Sequence, residues 1–278
     1  METPPPHPDE SQLAAPFVIE EGDGPLAAVA VHDGHAVRDE VARRQALSPA
    51  DRRREEDPYT GRWARALAPT HAVARRSRFE VDLNRPPDRA VYESPEDAWG
   101  LTVWENNPPP LVIDRSLKIH KRFYDTVEDL MARKIERHGR ILVLDLHSYC
   151  HRRRGPDAPP GDPEDNPEID IVTGPMHREH WAPVVGRFKE SLRAFDFRGR
   201  SLDVRENVKF RGGYFGERMR EQFPRSACSI MVEVKKFYMD EWTGELYEEI
   251  HADIEAALDH ATQATLETVH DMPATRAE

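Results

Sequence analysis

Short apolar runs bounded by polar or turn-forming residues recur along the chain, and each predicts a buried β-strand. The runs are Leu26–Val31, His71–Ala74, Ile141–Leu146, Ile169–Thr173 and Cys228–Val234. Apolar residues at helical spacing predict four helices. These are Asp114–His138, Trp181–Phe195, Gly213–Phe223 and Gly244–Leu266. Strands that alternate with helices of this length predict an α/β fold with three layers, a mostly parallel or mixed sheet covered by helices on both faces. Ligands bind beyond the carboxyl ends of the strands in such sheets, so functional residues are expected just after the apolar runs.

Proline-rich and polar stretches predict where the folded domain ends. Residues 1–14 and 273–278 are predicted to be disordered, which leaves a single domain over residues 15–272. The segment 152–167, RRRGPDAPPGDPEDNP, contains five prolines and is therefore predicted to be a surface loop inside that domain.

The composition narrows the class of protein. The 278 residues carry a formal charge of −12, which argues against a general nucleic-acid-binding protein, because such a protein needs a basic face. The longest apolar runs are far shorter than the roughly 20 residues of a membrane span, so no membrane partner is expected. The N-terminus lacks the features of a secretory signal, and the two cysteines, Cys150 and Cys228, fit a reducing compartment. These features predict a cytoplasmic protein and do not indicate its oligomeric state.

Residues that can bind a metal follow several of the predicted strands. His32 and His35 follow the first run, His147 follows the third, and Glu233 lies near the end of the fifth. Two histidines and an acid at strand ends are the ingredients of a catalytic zinc site, which has about three N or O ligands, an open position for water and a nearby carboxylate. A histidine after a strand is more often a hydrogen-bonded turn residue, so the metal interpretation depends on the combination.

Glu233 has a simpler alternative interpretation, an ion pair with Lys235 or Lys236. It lies, however, in an otherwise apolar stretch, where burying an unpaired carboxylate is unfavourable. This context favours a functional role.

Three further segments contain residue types that bind substrates. In the segment 78–87, RFEVDLNRPP, polar and apolar residues alternate as in a strand that leads into a loop. Arg85 beside Asn84 could clamp a carboxylate there, and a surface strand with salt bridges is the alternative. Gly212 and Gly213 either allow a ligand close to the backbone or simply begin a helix. The three arginines 152–154 belong either to a solvated loop or to the mouth of a site.

Taken in order, these motifs resemble the N-formylglutamate amidohydrolases, distant relatives of the zinc carboxypeptidases. The resemblance spans roughly residues 25–260, and its motifs are HDGH at 32–35, RFEVDLNRP at 78–86, LDLHSY at 144–149, GGY at 212–214 and Glu233. DLNRP and DLHSY in this order are its specific elements. The carboxypeptidases have Glu three residues after the first histidine, where this chain has His35. The resemblance implies a zinc-carboxypeptidase-like fold of the phosphorylase/hydrolase-like type.

The resemblance also implies the roles of the site residues. His32 and His147 would bind zinc or another divalent metal, and Asp57 is preferred to His35 as the third ligand. Glu233 would be the general base, and Asp145 would either orient the His147 region or be buried for structural reasons. The implied substrate-binding residues are Arg78, Asn84, Arg85, Arg211 and Tyr214. Among these, Asn84 and Arg85 would clamp a carboxylate, and Arg78 or Arg211 would stabilise the oxyanion.

The implied reaction is the hydrolysis of a linear amide by a metal-activated water. It would remove a formyl or other acyl group from a small-molecule N-acyl amino acid such as N-formylglutamate. One alternative is a zinc carboxypeptidase-like enzyme that acts on a short peptide or a peptide-derived metabolite. Another is a non-catalytic relative that keeps only the carboxylate clamp.

Overall fold

The computed structural model describes residues 15–272, in which a seven-stranded mixed sheet lies between two layers of helices. The strands are β1 (Phe17–Glu20), β2 (Leu26–Ala30), β3 (Thr70–Ala74), β4 (Ile141–Tyr149), β5 (Ile169–Val172), β6 (Val204–Glu206) and β7 (Ala227–Lys235). The α-helices are α1 (Asp39–Ala42), α2 (Pro49–Glu55), α3 (Thr60–Leu67), α4 (Pro110–His138), α5 (Ala182–Ala194), α6 (Tyr214–Gln222) and α7 (Glu248–Asp271). The predicted α/β class is confirmed, and the predicted disordered ends, residues 1–14 and 273–278, lie outside the described residues.

The strand order is β1-β3-β2-β4-β7-β5-β6. The four central strands β3, β2, β4 and β7 run parallel, whereas β1 and β5 are antiparallel to β3 and β7. Every residue of β2, β3 and β4 is buried, as expected for central strands that are covered on both faces. Because β2, β4 and β7 are parallel, their C-terminal ends meet at one edge of the sheet.

Alternate residues of the central strands pack against opposite helix layers. On one face, Leu144 and Val232 belong to a buried cluster that includes residues of α3, α5 and α7. On the other face, Val29 and Val143 belong to a cluster that includes residues of α4 and α6. Helices therefore pack against both faces of the sheet, and they fix the position of the edge where its parallel strands end.

The five strands predicted from apolar runs and the four predicted helices are present, with shifted ends, and the structure adds β1, β6, α1, α2 and α3. The added elements span only three to eight residues, too few to show a clear hydrophobic period. The segment 152–167 contains no helix or strand, as predicted. Among residues 15–272, no helix has the length and apolar character needed to cross a membrane.

The prediction of a strand within the segment 78–87 is wrong. The amides of Glu80 and Val81 donate hydrogen bonds to the carbonyl oxygen of Ser77, at 2.9 and 3.2 Å, and this closes a turn. The apolar residues of the segment are buried as the alternation suggests, but Glu80 and Asp82 are buried too, each in an ion pair with an arginine. Both sides of the segment are therefore packed, and its backbone pairs with no strand.

Candidate active site

Three buried side chains converge at the edge where β2 and β4 end. His32 follows β2, His147 lies in β4 and Asp57 follows α2. Nδ1 of His147 lies 3.0 Å from Oδ2 of Asp57, and Nδ1 of His32 lies 3.4 Å from the same oxygen. One ligand-type atom of each residue lies within 4.8 Å of the other two, and no other group of this kind occurs among residues 15–272. We refer to these three residues as the His–Asp–His cluster.

The outer nitrogen of each histidine is held by a second carboxylate. Nε2 of His32 lies 2.7 Å from Oδ1 of Asp82, and Nε2 of His147 lies 3.0 Å from Oδ1 of Asp145. Both Nδ1 atoms are thereby aimed at Asp57, and Nδ1 of His32 is buried with no hydrogen-bond partner in the described part of the chain. Carboxylates that orient ligating histidines in this way are typical of metal sites. The two nitrogens and one carboxylate oxygen fit zinc, and they also suit other divalent metals.

The acidic run at the C-terminal end of α2, residues 55–57, directs its three side chains to three different places. Glu55 lines the cavity in front of the cluster, Glu56 lies 2.6 Å from Nδ1 of His35, and Asp57 belongs to the cluster. The amide of Asp57 donates a 2.9 Å hydrogen bond to the carbonyl oxygen of His32, which fixes the two residues side by side. The structure thus brings Asp57 to the cluster, whereas His35 pairs with Glu56.

Glu233 lies near the end of β7, in register with His147 on the neighbouring strand. Its side chain lines the same cavity and makes no hydrogen bond or ion pair with any other residue of the described range. The ion-pair alternative is wrong, because Lys235 and Lys236 donate to backbone carbonyl oxygens. Burial raises the pKa of Glu233 to about 8, although the nearby His147 acts against this rise.

Asp82 connects Arg78 to the cluster. The guanidinium of Arg78 donates hydrogen bonds to Oδ2 of Asp82 at 2.9 Å and to the hydroxyl of Tyr92 at 3.0 Å. The Tyr92 hydroxyl in turn donates to the same carboxylate. Burial disfavours the charged form of Asp82, but Arg78 and His32 outweigh it and hold the pKa of this carboxyl well below its usual range. The charge of Arg78 is therefore fixed at the cavity wall, where it could stabilise developing negative charge.

Asn84 is held at the cavity wall by the start of α6. Its side-chain oxygen accepts a 3.0 Å hydrogen bond from the amide of Phe215, and its side-chain nitrogen lies 3.4 Å from Nε2 of His147. A Cβ atom at Gly213 would lie only 2.3 Å from the Asn84 amide group. The second glycine of the GGY motif is therefore required because Asn84 occupies the space of a side chain there.

Arg85 also lines the cavity, but the other two predicted substrate-binding residues do not. One amino group of Arg85 donates a 2.6 Å hydrogen bond to the carbonyl oxygen of Asp97. Arg211 is exposed, and the ring of Tyr214 packs against Tyr124 with a centroid distance of 5.1 Å. The structure thus places Arg211 and Tyr214 outside the lining of the cavity in front of the His–Asp–His cluster.

Sequence reasoning missed several residues of this cavity, which has a volume of about 290 Å³. Asp82 had a usable signal, because it is an acid between two apolar residues, as Glu233 is. Trp99 had no such signal in the sequence, because a single tryptophan in a loop belongs to no periodic pattern of apolar residues. Its ring lies 4.7 Å from the Arg78 guanidinium, and its backbone has a left-handed φ of 53°.

Arg153 also lines the cavity. Of the two alternatives for the arginines 152–154, the structure therefore supports the mouth of the site.

The family model for N-formylglutamate amidohydrolase matches residues 24–239. The chain belongs to the N-formylglutamate amidohydrolase family. This confirms the resemblance found in the sequence, and membership in this amidohydrolase family implies a hydrolase of amide bonds.

Two solved structures are similar to this N-formylglutamate amidohydrolase family member in fold. The N-formylglutamate amidohydrolase from Ralstonia eutropha JMP134 has a TM-score of 0.71 and 18% identity, over 92% of this chain and 98% of that chain. A gene product of Agrobacterium tumefaciens has a TM-score of 0.68 and 19% identity, over 94% of this chain and 98% of that chain. The comparison with curated proteins found no match.

Proposed function

We propose that this protein is a metal-dependent amidohydrolase that removes the formyl group from an N-formylated dicarboxylic amino acid such as N-formylglutamate. The observation that carries the proposal is the buried cluster of His32, Asp57 and His147, with Glu233 beside it on the wall of one cavity. Family membership supports an N-formyl amide as the bond that is cleaved. We also place the reaction in the cytoplasm, which the two free cysteines support.

The ion in this proposal is zinc or another divalent metal, held by Nδ1 of each histidine and by Asp57. When bound, it would supply Lewis-acid activation of a water molecule and of the acyl oxygen. Asp82 and Asp145 hold the outer nitrogens of His32 and His147, and they thereby keep both rings directed at the metal position.

The chain's own residues move the proton and stabilise charge. Glu233, the cavity carboxylate without an ion pair, accepts a proton from the attacking water and delivers it to the amine nitrogen of the leaving amino acid. Arg78 donates hydrogen bonds to the acyl oxygen as negative charge develops on it. Asn84 and Arg85 hold a carboxylate of the substrate.

The charges of the cavity favour a substrate with two carboxylates. Four acidic and four basic side chains line it, so their formal charges cancel. They are Glu55, Asp57, Asp82 and Glu233, and Arg78, Arg85, Arg153 and Lys236. With all eight groups in their charged forms, as when Glu233 acts as a base, a divalent metal would leave a net charge of about +2, which complements a dianionic ligand. An N-formyl dicarboxylic amino acid is such a ligand.

The test is the metal content of the purified protein together with formate release from N-formyl-L-glutamate. We expect close to one metal ion per chain, loss of formate release after chelation and recovery when zinc is returned. Release that persists after complete removal of the metal would contradict metal dependence. A metal-loaded protein that releases no formate from any N-formyl amino acid would contradict the proposed substrate class.

A further inference from the structure

The cavity is lined by one arginine, Arg153, to which the family resemblance gives no role in substrate binding. We infer that Arg153 selects substrates with a second carboxylate by binding that carboxylate at the mouth of the cavity. This inference rests on the proposed function and names the residue that determines its substrate class.

The other cations of the cavity already have partners. The ammonium group of Lys236 donates to the carbonyl oxygens of Arg54 and Glu56, both at 2.6 Å, and the residue is 1% exposed. Arg78 is bound to Asp82 and Tyr92. These two side chains hold the wall of the cavity together, so neither can turn to a carboxylate at the mouth.

Arg85 is also partly committed. Besides its bond to the Asp97 carbonyl oxygen, its guanidinium stacks on the Tyr92 ring at 4.5 Å. Its remaining hydrogen-bond donors suffice for one carboxylate, as the predicted clamp with Asn84 requires. A dicarboxylic substrate therefore needs another cation for its second carboxylate.

Arg153 has most of its donors available. Its side chain is 47% exposed, and its ion-pair partner among residues 15–272 is Glu55, with one amino group 2.9 Å from Oε2. Guanidinium has five N–H donors arranged as a planar fork, so an ion pair through one amino group leaves donors for a bidentate contact with another carboxylate. The Glu55 side chain is 3% exposed, and its ion pair keeps the Arg153 guanidinium at the cavity. Glu55 is therefore the residue that positions Arg153.

The backbone that carries Arg153 is anchored rather than loose. The amides of His151 and Arg152 donate to the carboxylate of Glu241, at 2.7 and 3.1 Å. The indole of Trp242 donates a 3.1 Å hydrogen bond to the carbonyl oxygen of Arg152. These bonds fix the two residues directly before Arg153, so the guanidinium is presented from a defined point on the rim.

The experiment compares N-formyl-L-glutamate with N-formyl-L-glutamine, which has nearly the same shape and lacks the second carboxylate. For the metal-loaded wild-type protein we expect a higher kcat/KM on N-formyl-L-glutamate. Arg153→Gln should lower kcat/KM on N-formyl-L-glutamate by roughly 10- to 100-fold, mainly through KM, because a charge-assisted hydrogen bond is lost. On N-formyl-L-glutamine the change should stay within about three-fold.

Two further variants complete the design. Arg154→Gln is the matched control, because Arg154 is exposed on the same loop and does not line the cavity, and it should leave both substrates unchanged. Arg153→Lys keeps the charge without the fork, so it should restore only part of the preference. Glu55→Gln should raise KM for N-formyl-L-glutamate and leave kcat nearly unchanged, as expected of a positioning residue.

The outcomes separate this inference from the proposed function. If Arg153→Gln affects both substrates equally, the inference is overturned and the proposed function stands. If the wild type releases formate from both substrates with no preference, the inference is overturned, and the deformylase reaction stands without the preference for a second carboxylate. If the metal-loaded wild type releases formate from neither substrate, the proposed function fails and the inference fails with it.

Discussion

The inner wall and the rim of the cavity are built in different ways. At the inner wall, His32 and His147 are 3% and 2% exposed, lie at strand ends, and are each fixed by a carboxylate on the outer nitrogen. At the rim, the tryptophan Trp99 is 48% exposed and the Arg153 side chain 47% exposed, and both are carried by loops.

This difference separates two tasks. The inner wall holds its atoms in one arrangement because each ligating residue is buried and held by neighbours, which is what a reaction centre needs. The rim side chains are about half exposed, so they can contact a ligand that enters the cavity. Substitutions at the inner wall should therefore change turnover and metal binding, whereas substitutions at the rim should change substrate affinity or local stability.

The largest effect is expected from Glu233→Gln. This change removes the proton acceptor and leaves the three cluster residues in place, so formate release should fall roughly 10²- to 10⁴-fold with the metal content unchanged. Metal analysis and formate release on the same preparation test this. His147→Ala is the contrasting variant, because it should lose both metal and activity. A Glu233→Gln protein with near wild-type turnover would show that another group moves the proton.

A smaller effect is expected from Asp82→Asn, which weakens the support behind His32. Metal affinity should fall roughly 10- to 100-fold, the usual consequence of losing a carboxylate that orients a ligating histidine. Competition with a chromophoric chelator measures this, and thermal unfolding shows whether the variant is folded. Asp145→Asn removes the equivalent support behind His147 and should behave similarly. Unchanged affinity in both variants would mean that the outer carboxylates do not hold the histidines for a metal.

The smallest effect is expected at the rim, from two variants of Trp99. Its left-handed backbone suits glycine better than any residue with a Cβ atom. Trp99→Gly should therefore have a free energy of unfolding about 1 kcal/mol higher than Trp99→Ala. Urea unfolding of the pair measures the difference, and both variants should keep their metal. Equal stabilities would indicate that the loop relaxes away from the left-handed conformation once the indole is gone.

The parts of the fold that the sequence predicted correctly are the long or fully buried elements. The helix α4 has 29 residues, enough to show its period and its glycine stop, and β4 is fully buried and begins with four consecutive apolar residues. By contrast, β6 has three residues and α1 has four, too few for any period. The strand prediction within the segment 78–87 was wrong because Glu80 and Asp82 are buried in ion pairs with arginines, and an alternating pattern of residue types does not reveal such pairs.

Within the site, the residues at the ends of parallel strands were predictable, since sheet topology alone brings them together. The third member of the cluster does not follow from sheet topology, because neither Asp57 nor His35 lies at the end of a strand. Asp57 was preferred to His35 on the family resemblance, and the structure places Asp57 in the cluster. The pairing of His35 with Glu56 separates them in the structure, and spacing does not encode that contact. The positions of the Arg211 and Tyr214 side chains could not be predicted from the sequence either, because they depend on how the start of α6 packs around Asn84.

The segment 152–167 leaves the sheet after β4 and returns to it at β5. One hydrogen bond joins its two ends, and a second joins its beginning to its middle. The Tyr149 hydroxyl donates to the carbonyl oxygen of Pro167, and the amide of Gly161 donates a 2.6 Å hydrogen bond to the carbonyl oxygen of His151. A loop closed in this way can change in sequence and length, since changing the length of a surface loop alters stability only slightly. Substitutions in this loop could therefore change which acyl amino acids enter the cavity without changing the residues at its inner wall.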